Sequence, residues 1–321
     1  MEPRLDQLGA DGVLAHRKSL PTLGTAFERL ALKAGTTYYS SRRQPSDRQR
    51  RDQIDLVNKE MKGSKDPRAQ FGRHAAQYAT SRSHGGGASL AMLTEWARPR
   101  FMDFVLDIAT GAGFAAFALA PQAEVVVATD ITPEMLAQAR QLAESRGLRD
   151  VRFAFSSAEH LAFHNDSFDI VTCRAAAHHF VDVPTFLAEA HRVCKEGGRM
   201  LLIDTTAPED EALSCLMNDW ERRRDPSHIH NYSPSQWRAL LCRQGFKVLR
   251  MAMVKTELEF SDWVRRSGTP PEEVAVLRRE FETASPKAAA AFAIRLVGDA
   301  LPFSWDTAVI EARRLSRGAQ E

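Results

Sequence analysis

Residues 104–114, Phe-Val-Leu-Asp-Ile-Ala-Thr-Gly-Ala-Gly-Phe, constrain the fold more than any other stretch of the chain. The run from 102 to 108 is almost entirely apolar, which suits a strand buried on both faces of a parallel sheet. Gly111 and Gly113 follow at once, and the Ala-rich segment after them favours a helix. The predicted order is therefore strand, tight turn and helix.

Glycines at such a turn permit positive φ and let the backbone pass close to a ligand, while the N–H groups at the helix start favour polar or anionic groups. A purely structural strand-to-helix turn explains the two glycines equally well. A second buried-type strand, residues 124–130, ends in Asp130. In a doubly wound sheet the carboxyl ends of the strands line the ligand crevice, where a carboxylate can accept both hydroxyls of a ribose. We predict this role for Asp130, with a solvated loop acid as the alternative.

Four segments in order resemble those of class I S-adenosylmethionine-dependent methyltransferases, namely residues 107–113, 130–136, 163–171 and 192–202. The likeness covers roughly residues 68–255 and is greatest to the small-molecule branch (methyltransferase type 11) that includes the ubiquinone and menaquinone biosynthesis methylases. The resemblance implies a Rossmann-like α/β fold with a seven-stranded, mostly parallel sheet, an antiparallel last strand and helices on both faces. It also implies S-adenosylmethionine as cofactor and a small, partly apolar methyl acceptor, quinone-like or natural-product-like.

The same resemblance implies which residues contact the cofactor. Asp107 orients the methionine amino end through the turn, and Tyr78 lies on a segment that closes over the methionine part, unless Tyr78 is merely core. Ser157 stands where family members usually carry an acid for the adenine amino group, so a weaker hydrogen bond is expected there. The full set of implied cofactor residues is Tyr78, Asp107, Ala109, Gly111, Gly113, Asp130, Ile131, Met135, Ser157, Ala158, Glu159 and Arg174.

An adjacent pair of histidines, His178 and His179, follows the fourth predicted strand at the same edge of the sheet. A neutral imidazole near pH 7 can take the acceptor's proton as the methyl group transfers, so either histidine is a candidate catalytic base. The alternative is a packing role, because methyl transfer to an acidic oxygen or a carbon needs little help from a base. A metal site is not expected, since adjacent histidines without a third spaced ligand rarely close one.

The overall composition disfavours several other classes of protein. The chain has 43 Lys and Arg against 41 Asp and Glu, so no basic field favours nucleic acid. The four cysteines show no CxxC pairing, which favours reduced thiols in a cytoplasmic protein over disulfides or zinc. No apolar run approaches membrane-spanning length, and the N-terminus has no apolar signal core.

The two ends of the chain differ from its middle. Residues 1–66 contain a polar basic tract that can bury little apolar surface, so we predict a poorly ordered extension ahead of a methyltransferase domain at 67–321. A tether for an anionic partner is the alternative. Residues 256–300 form a predicted helical insertion whose apolar content suggests a lid or a homodimer surface. The apolar alternation at 303–310 then predicts the antiparallel last strand.

Two other functions stay open at this point. Residues 111–116 satisfy the relaxed dinucleotide fingerprint, and Asp130 can hold an NAD ribose, as in a nicotinamide-dependent oxidoreductase. No Tyr-x-x-x-Lys pair accompanies that fingerprint, and residues 163–171 fit the methylase pattern better. The third hypothesis is a non-catalytic scaffold subunit, because intact glycines and acids predict binding but not turnover.

Overall fold

The computed structural model describes residues 38–39, 68, 71–72 and 86–316, and everything below concerns these residues. Its strands are β1 (Tyr38–Tyr39), β2 (Phe104–Ile108), β3 (Val125–Asp130), β4 (Val151–Phe155), β5 (Phe168–Arg174), β6 (Cys194–Thr206), β7 (Phe246–Glu259) and β8 (Pro302–Arg314). Its α-helices are α1 (Ala88–Ala97), α2 (Phe114–Leu119), α3 (Pro133–Ser145), α4 (Val183–Val193), α5 (Glu211–Arg224), α6 (Pro234–Arg243), α7 (Phe260–Ser267), α8 (Pro271–Glu282) and α9 (Pro286–Ala291).

The strands form one sheet in the order β1-β4-β3-β2-β5-β6-β8-β7. Strands β2 to β6 pair in parallel, and β8 inserts antiparallel between β6 and β7. The predicted seven-stranded, mostly parallel sheet with an antiparallel last strand is confirmed. The two residues of β1 add an antiparallel edge to β4. They belong to the segment for which poor order was predicted, and the rest of that segment lies outside the described residues.

Helices cover both faces of the sheet, as the apolar central strands require. Successive side chains of a strand point to opposite faces, and Val105 and Val126 pack in one core with residues of α1, α2 and α3. Their neighbours Leu106 and Val127, which point to the other face, are also fully buried. The carboxyl ends of β2, β3, β4 and β5 therefore meet at one edge of a sheet that is covered on both sides.

The segment predicted to be a helical insertion contains three helices, and several of its apolar residues pack in the chain's own core. Strand β7 continues to Glu259, and α7, α8 and α9 follow it. A second cluster, here called the aromatic subcore, joins this segment to α5 and β8; it includes Trp220, Trp263, Phe281, Phe303 and Trp305. The aromatic side chains that suggested a lid or a dimer surface, Trp263 and Phe281, are thus buried within the chain.

A buried carboxylate lies inside the aromatic subcore. Glu221 Oε1 accepts hydrogen bonds from Trp305 Nε1 at 2.7 Å and Trp263 Nε1 at 3.4 Å. Its second oxygen, Oε2, accepts from Arg224 Nη1 at 2.9 Å, so the buried charge is both paired and hydrogen-bonded. Arg224 is the last residue of α5, and its Nε donates to Ser267 Oγ at 2.7 Å, which joins the insertion to the end of α5.

Across the described ranges, every helix is too short or too polar to span a bilayer. All four cysteines are free thiols; Cys173 and Cys194 are buried, and Cys215 and Cys242 are exposed.

Candidate active site

The turn between β2 and α2 contains three residues with positive φ: Ala109 at 53°, Gly111 at 54° and Gly113 at 91°. A Cβ built at Gly111 meets no atom within 4 Å, whereas a Cβ at Gly113 would overlap the ring of Phe117. Gly111 therefore leaves the backbone open to a ligand. Gly113 does not line the cleft described next; its missing side chain admits Phe117 instead, which differs from the predicted cofactor contact.

A cleft opens above the carboxyl ends of the parallel strands. Ten of the predicted site residues line it, namely Asp107, Ala109, Gly111, Asp130, Ile131, Met135, Ala158, Glu159, Arg174 and His179. The predicted residues Gly113, Ser157 and His178 do not line it, and Tyr78 lies outside the described residues. Most of the remaining wall is apolar and includes Phe71, Phe114, Phe180 and Val181.

Asp130, the last residue of β3, holds the glycine turn in place through hydrogen bonds to the backbone. Its Oδ2 accepts from the N–H of Gly111 and its Oδ1 from the N–H of Thr132, both at 2.8 Å. Burial raises the pKa of Asp130 to about 6, although these two bonds oppose the rise. The carboxylate is thus fixed at the carboxyl end of β3, and each oxygen keeps a lone pair for a further donor.

Asp107 is held from two sides by hydroxyl groups. Thr110 Oγ1 donates to Oδ2 and Thr172 Oγ1 donates to Oδ1, each at 2.6 Å. Burial raises the pKa of Asp107, and the two hydroxyls and the charge of Arg174 oppose the rise. Arg174 lines the same cleft and donates to Ser89 Oγ at 3.3 Å. One end of the cleft therefore carries a buried carboxylate, Asp107, and a half-buried cation, Arg174.

The acid at the edge formed by the residues after β4 is Glu159, not the residue at position 157. Ser157 Oγ donates to Glu159 Oε2 at 2.5 Å and accepts from the Glu159 N–H at 3.2 Å. Ser157 thereby orients Glu159, which lines the cleft beside Ala158. Ser157 itself does not line the cleft, so its direct contact with the adenine stays a prediction, and its hydroxyl holds Glu159 in place.

The two adjacent histidines have different surroundings. His178 Nδ1 lies 2.6 Å from Asp204 Oδ1, and the His178 N–H donates to Asp204 Oδ2 at 2.8 Å. Burial lowers the pKa of His178, but the carboxylate of Asp204 outweighs burial and the net shift is upward. His178 does not line the cleft, so of the two candidate bases only His179 is placed to meet an acceptor.

His179 lines the cleft with its Nδ1 turned to the loop after α5. That nitrogen lies 3.1 Å from both the carbonyl oxygen and the Oγ of Ser227. Burial and the neighbouring His178 lower the pKa of His179 to about 3, so its imidazole is neutral near pH 7.

Sequence reasoning missed several polar residues behind the histidine pair. Asp225 and Ser227 contact each other next to His179, and the ring of His228 lies 5.7 Å from that of His178. Asp204 could have been found, since it lies near the carboxyl end of β6 as Asp130 does in β3. In the part of the chain that the structure describes, no group of His, Cys, Asp or Glu residues could hold a metal ion.

Comparison with known proteins shows which family shares this sequence and fold. Residues 106–202 match a family model described as a methyltransferase domain. The chain is 36% identical over 235 residues to the uncharacterized methyltransferase YcgJ of Bacillus subtilis, which covers 73% of this chain and 93% of that protein. The chain belongs to the class I S-adenosylmethionine-dependent methyltransferases.

Two further similarities extend this assignment. The solved structure of a putative methyltransferase from Bacillus halodurans is 34% identical, covers 72% of this methyltransferase and 100% of that chain, and superposes with a TM-score of 0.69. A demethylmenaquinone methyltransferase of Thermus thermophilus is 40% identical over 122 residues, which are 37% of this chain and 54% of that protein. The predicted family, enzyme class and cofactor, S-adenosylmethionine, are confirmed.

The cleft of this methyltransferase suits that cofactor chemically. The open space beside Gly111 admits a ligand against the backbone, and the fixed Asp130 carboxylate offers acceptors for hydroxyl groups. The Asp107 carboxylate and the Arg174 guanidinium carry charges opposite to those of the ammonium and carboxylate of an amino-acid group. A nucleoside joined to an amino acid presents all of these groups.

Proposed function

We propose that this methyltransferase acts on a small, partly apolar acceptor, quinone-like or natural-product-like. The observation that carries the proposal is the part of the cleft wall in which the neutral imidazole of His179 lies together with Phe71, Phe180 and Val181. Such a wall suits an apolar frame that carries one polar reacting group. The similarity to a demethylmenaquinone methyltransferase supports the quinone-like class.

We assign the cofactor contacts from the positions of the side chains in the cleft. Asp130 accepts from the ribose hydroxyls, and Glu159 accepts from the adenine amino group, with Ile131 and Ala158 on the two sides of the ring. At the other end, Asp107 and Arg174 hold the amino-acid group. Tyr78 remains a prediction. The remaining contacts are apolar or through the backbone, from Ala109, Gly111 and Met135.

When bound, S-adenosylmethionine supplies an activated methyl group on a sulfonium. The chain itself has to hold the nucleophile in line and exclude water, which the aromatic wall provides. His179 is the catalytic base of the proposal, because its imidazole is neutral and lines the cleft. A base with so low a pKa suits an acceptor whose own proton is acidic.

The test is the release of S-adenosylhomocysteine with a panel of acceptors. We expect turnover with apolar aromatic or quinone-like compounds that carry an acidic hydroxyl, such as hydroxyquinones, and a fall in kcat on the order of 100-fold in His179→Asn. Ser145→Ala, an exposed change on α3, serves as the control and should keep full activity. Turnover confined to polar amines or nucleic acid would contradict the proposed acceptor class.

We also propose a homodimer formed through residues 256–300. The aromatic side chains of this segment are buried, but Val276, Leu296 and Val297 are 46%, 64% and 60% exposed. A shared interface would remove them from water. Light scattering should give the mass of a dimer for the wild type and of a monomer for Leu296→Asp; a monomeric wild type would contradict the interface.

A further inference from the structure

We propose that Asp225 and Ser227 are positioning residues that keep the proton of His179 on Nδ1, so that Nε2 faces the cleft as a hydrogen-bond acceptor. The role given to Nε2 rests on the proposed function, whereas the position of the proton does not. The consequence is a restriction on the substrate: the reacting group of the methyl acceptor must donate a proton.

The first step of the argument is the loop that follows α5. Asp225 Oδ1 accepts from the N–H of Ser227 at 2.9 Å and from its hydroxyl at 2.7 Å. Asp225 is 1% exposed, and Arg224 Nη2 lies 3.5 Å from its other oxygen. A buried, charge-balanced carboxylate therefore fixes both the backbone and the hydroxyl of Ser227.

The second step is the direction of the hydrogen bond at His179. Its Nδ1 lies 3.1 Å from the Ser227 carbonyl oxygen, which can only accept. It also lies 3.1 Å from Ser227 Oγ, whose proton already points to Asp225. Both partners of Nδ1 require a donor, and a neutral imidazole has only one N–H. The proton is therefore on Nδ1, and Nε2 carries a lone pair.

The third step is the charge of the ring, since a doubly protonated imidazole would have no lone pair. His178 stands with its ring centroid 4.2 Å from that of His179 and is paired with Asp204. Burial, the neighbouring His178 and the charge of Arg224 oppose protonation of His179, while Asp225 favours it. The balance leaves His179 neutral, in agreement with its lowered pKa.

The last step connects this nitrogen with the substrate. The ring of His179 lines the cleft, and the edge of Phe71 packs against it with the centroids 4.9 Å apart. A bare Nε2 in an apolar wall can only accept, so it selects a group that donates, such as a phenolic or enolic hydroxyl. Tertiary amines and thioethers have no proton to give and would not be held.

The test is a long-range proton–nitrogen correlation spectrum of the full chain with isotope-labelled histidine, near neutral pH and without cofactor. The signals of His179 are assigned by their loss in His179→Gln. We expect a protonated Nδ1 and a bare Nε2. A proton on Nε2, or on both nitrogens, would overturn the proposal.

Two variants test the positioning residues themselves. In Ser227→Ala one of the two acceptors at Nδ1 is gone, so a second population with the proton on Nε2 should appear. Asp225→Asn keeps the shape but weakens the acceptor, and a smaller change in the same direction is expected. Ser145→Ala should leave the His179 signals unchanged. Unchanged signals in both loop variants, with the rest of the spectrum native, would overturn the role of Asp225 and Ser227.

These spectra separate two kinds of failure, because no cofactor or acceptor is present. A proton found on Nε2 would remove the positioning device and the base role of His179, but it would leave the proposed acceptor class standing. Absence of turnover with every hydroxylated acceptor, in a protein whose His179 has the expected proton, would contradict the proposed acceptor class instead.

Discussion

Asp130 joins the glycine turn to the start of α3 through two backbone bonds, and its carboxylate is 7% exposed. Because burial raises its pKa to about 6 in the folded protein, the native state binds this proton more tightly than the unfolded chain. The stabilisation of the folded state by this tighter proton binding is fully present below about pH 4 and is lost as the pH rises through about 6.

The prediction is a pH-dependent difference between the wild type and Asp130→Asn, which cannot titrate. From about pH 4 to about pH 7 the wild type should lose on the order of 3 kcal/mol of unfolding free energy relative to the variant. Urea denaturation at several pH values measures this difference. A constant difference across that range would show that Asp130 is not titrating as its burial requires.

The two glycines of the turn should differ in how much stability the same substitution costs. Gly113→Ala places a methyl group on the Phe117 ring at a φ of 91°, so we expect a loss of at least about 2 kcal/mol of stability. Gly111→Ala meets open space at a φ of 54° and should cost only about 1 kcal/mol.

Cofactor binding should separate the same pair of variants. The methyl group of Gly111→Ala occupies the space beside the backbone, so S-adenosylhomocysteine should bind at least tenfold more weakly. Folded Gly113→Ala should bind it nearly as the wild type does. Calorimetric titration measures the affinity of both variants for S-adenosylhomocysteine. Weaker binding in Gly113→Ala alone would contradict the roles given to the two glycines.

At the scale of elements, Glu221 on α5 connects the aromatic subcore to Arg224, the residue that precedes Asp225. It accepts from two tryptophan N–H groups and from Arg224. Glu280 on α8 is a matched control, because it accepts from Trp220 Nε1 and also pairs with Arg223, but its side chain is 38% exposed.

We therefore expect Glu221→Ala to lower the unfolding free energy by on the order of 3 kcal/mol, because it leaves two buried tryptophan N–H donors without an acceptor and removes one of the carboxylates that balance the charge of Arg224. Glu280→Ala should cost about 1 kcal/mol or less, since water can replace an exposed partner. Urea denaturation compares the two variants. Equal costs would contradict the role given to the buried carboxylate.

The elements that sequence predicts best are those whose signals are local. Strand β4 begins at Val151 and ends at Phe155, as a short apolar run bounded by polar residues indicates. Strand β7 continues into the predicted insertion because residues 255–259 pair with β8, a partner far along the chain. The contact of His179 with Ser227 spans 48 positions and depends on how α5 packs, so no local pattern could reveal it.

At the scale of the whole molecule, the sheet order brings the site together. Asp107, Asp130 and Arg174 come from three strands that are neighbours in the sheet but distant in sequence. Their convergence was predictable, because the carboxyl ends of parallel strands share one edge. The different surroundings of His178 and His179 were not predictable. They depend on contacts with Asp204 and Ser227, which lie far along the chain from the two histidines.

The most direct test of the account is calorimetric titration of the full chain with S-adenosylmethionine, S-adenosylhomocysteine and NAD in parallel. We predict that both adenosyl ligands bind the wild type, that NAD does not, and that binding is lost in Asp130→Ala while Ser145→Ala binds as the wild type. Circular dichroism of each variant confirms that the protein used is folded. Binding of NAD alone, or of none of the three ligands, would contradict the central claim that this cleft holds the methyl donor.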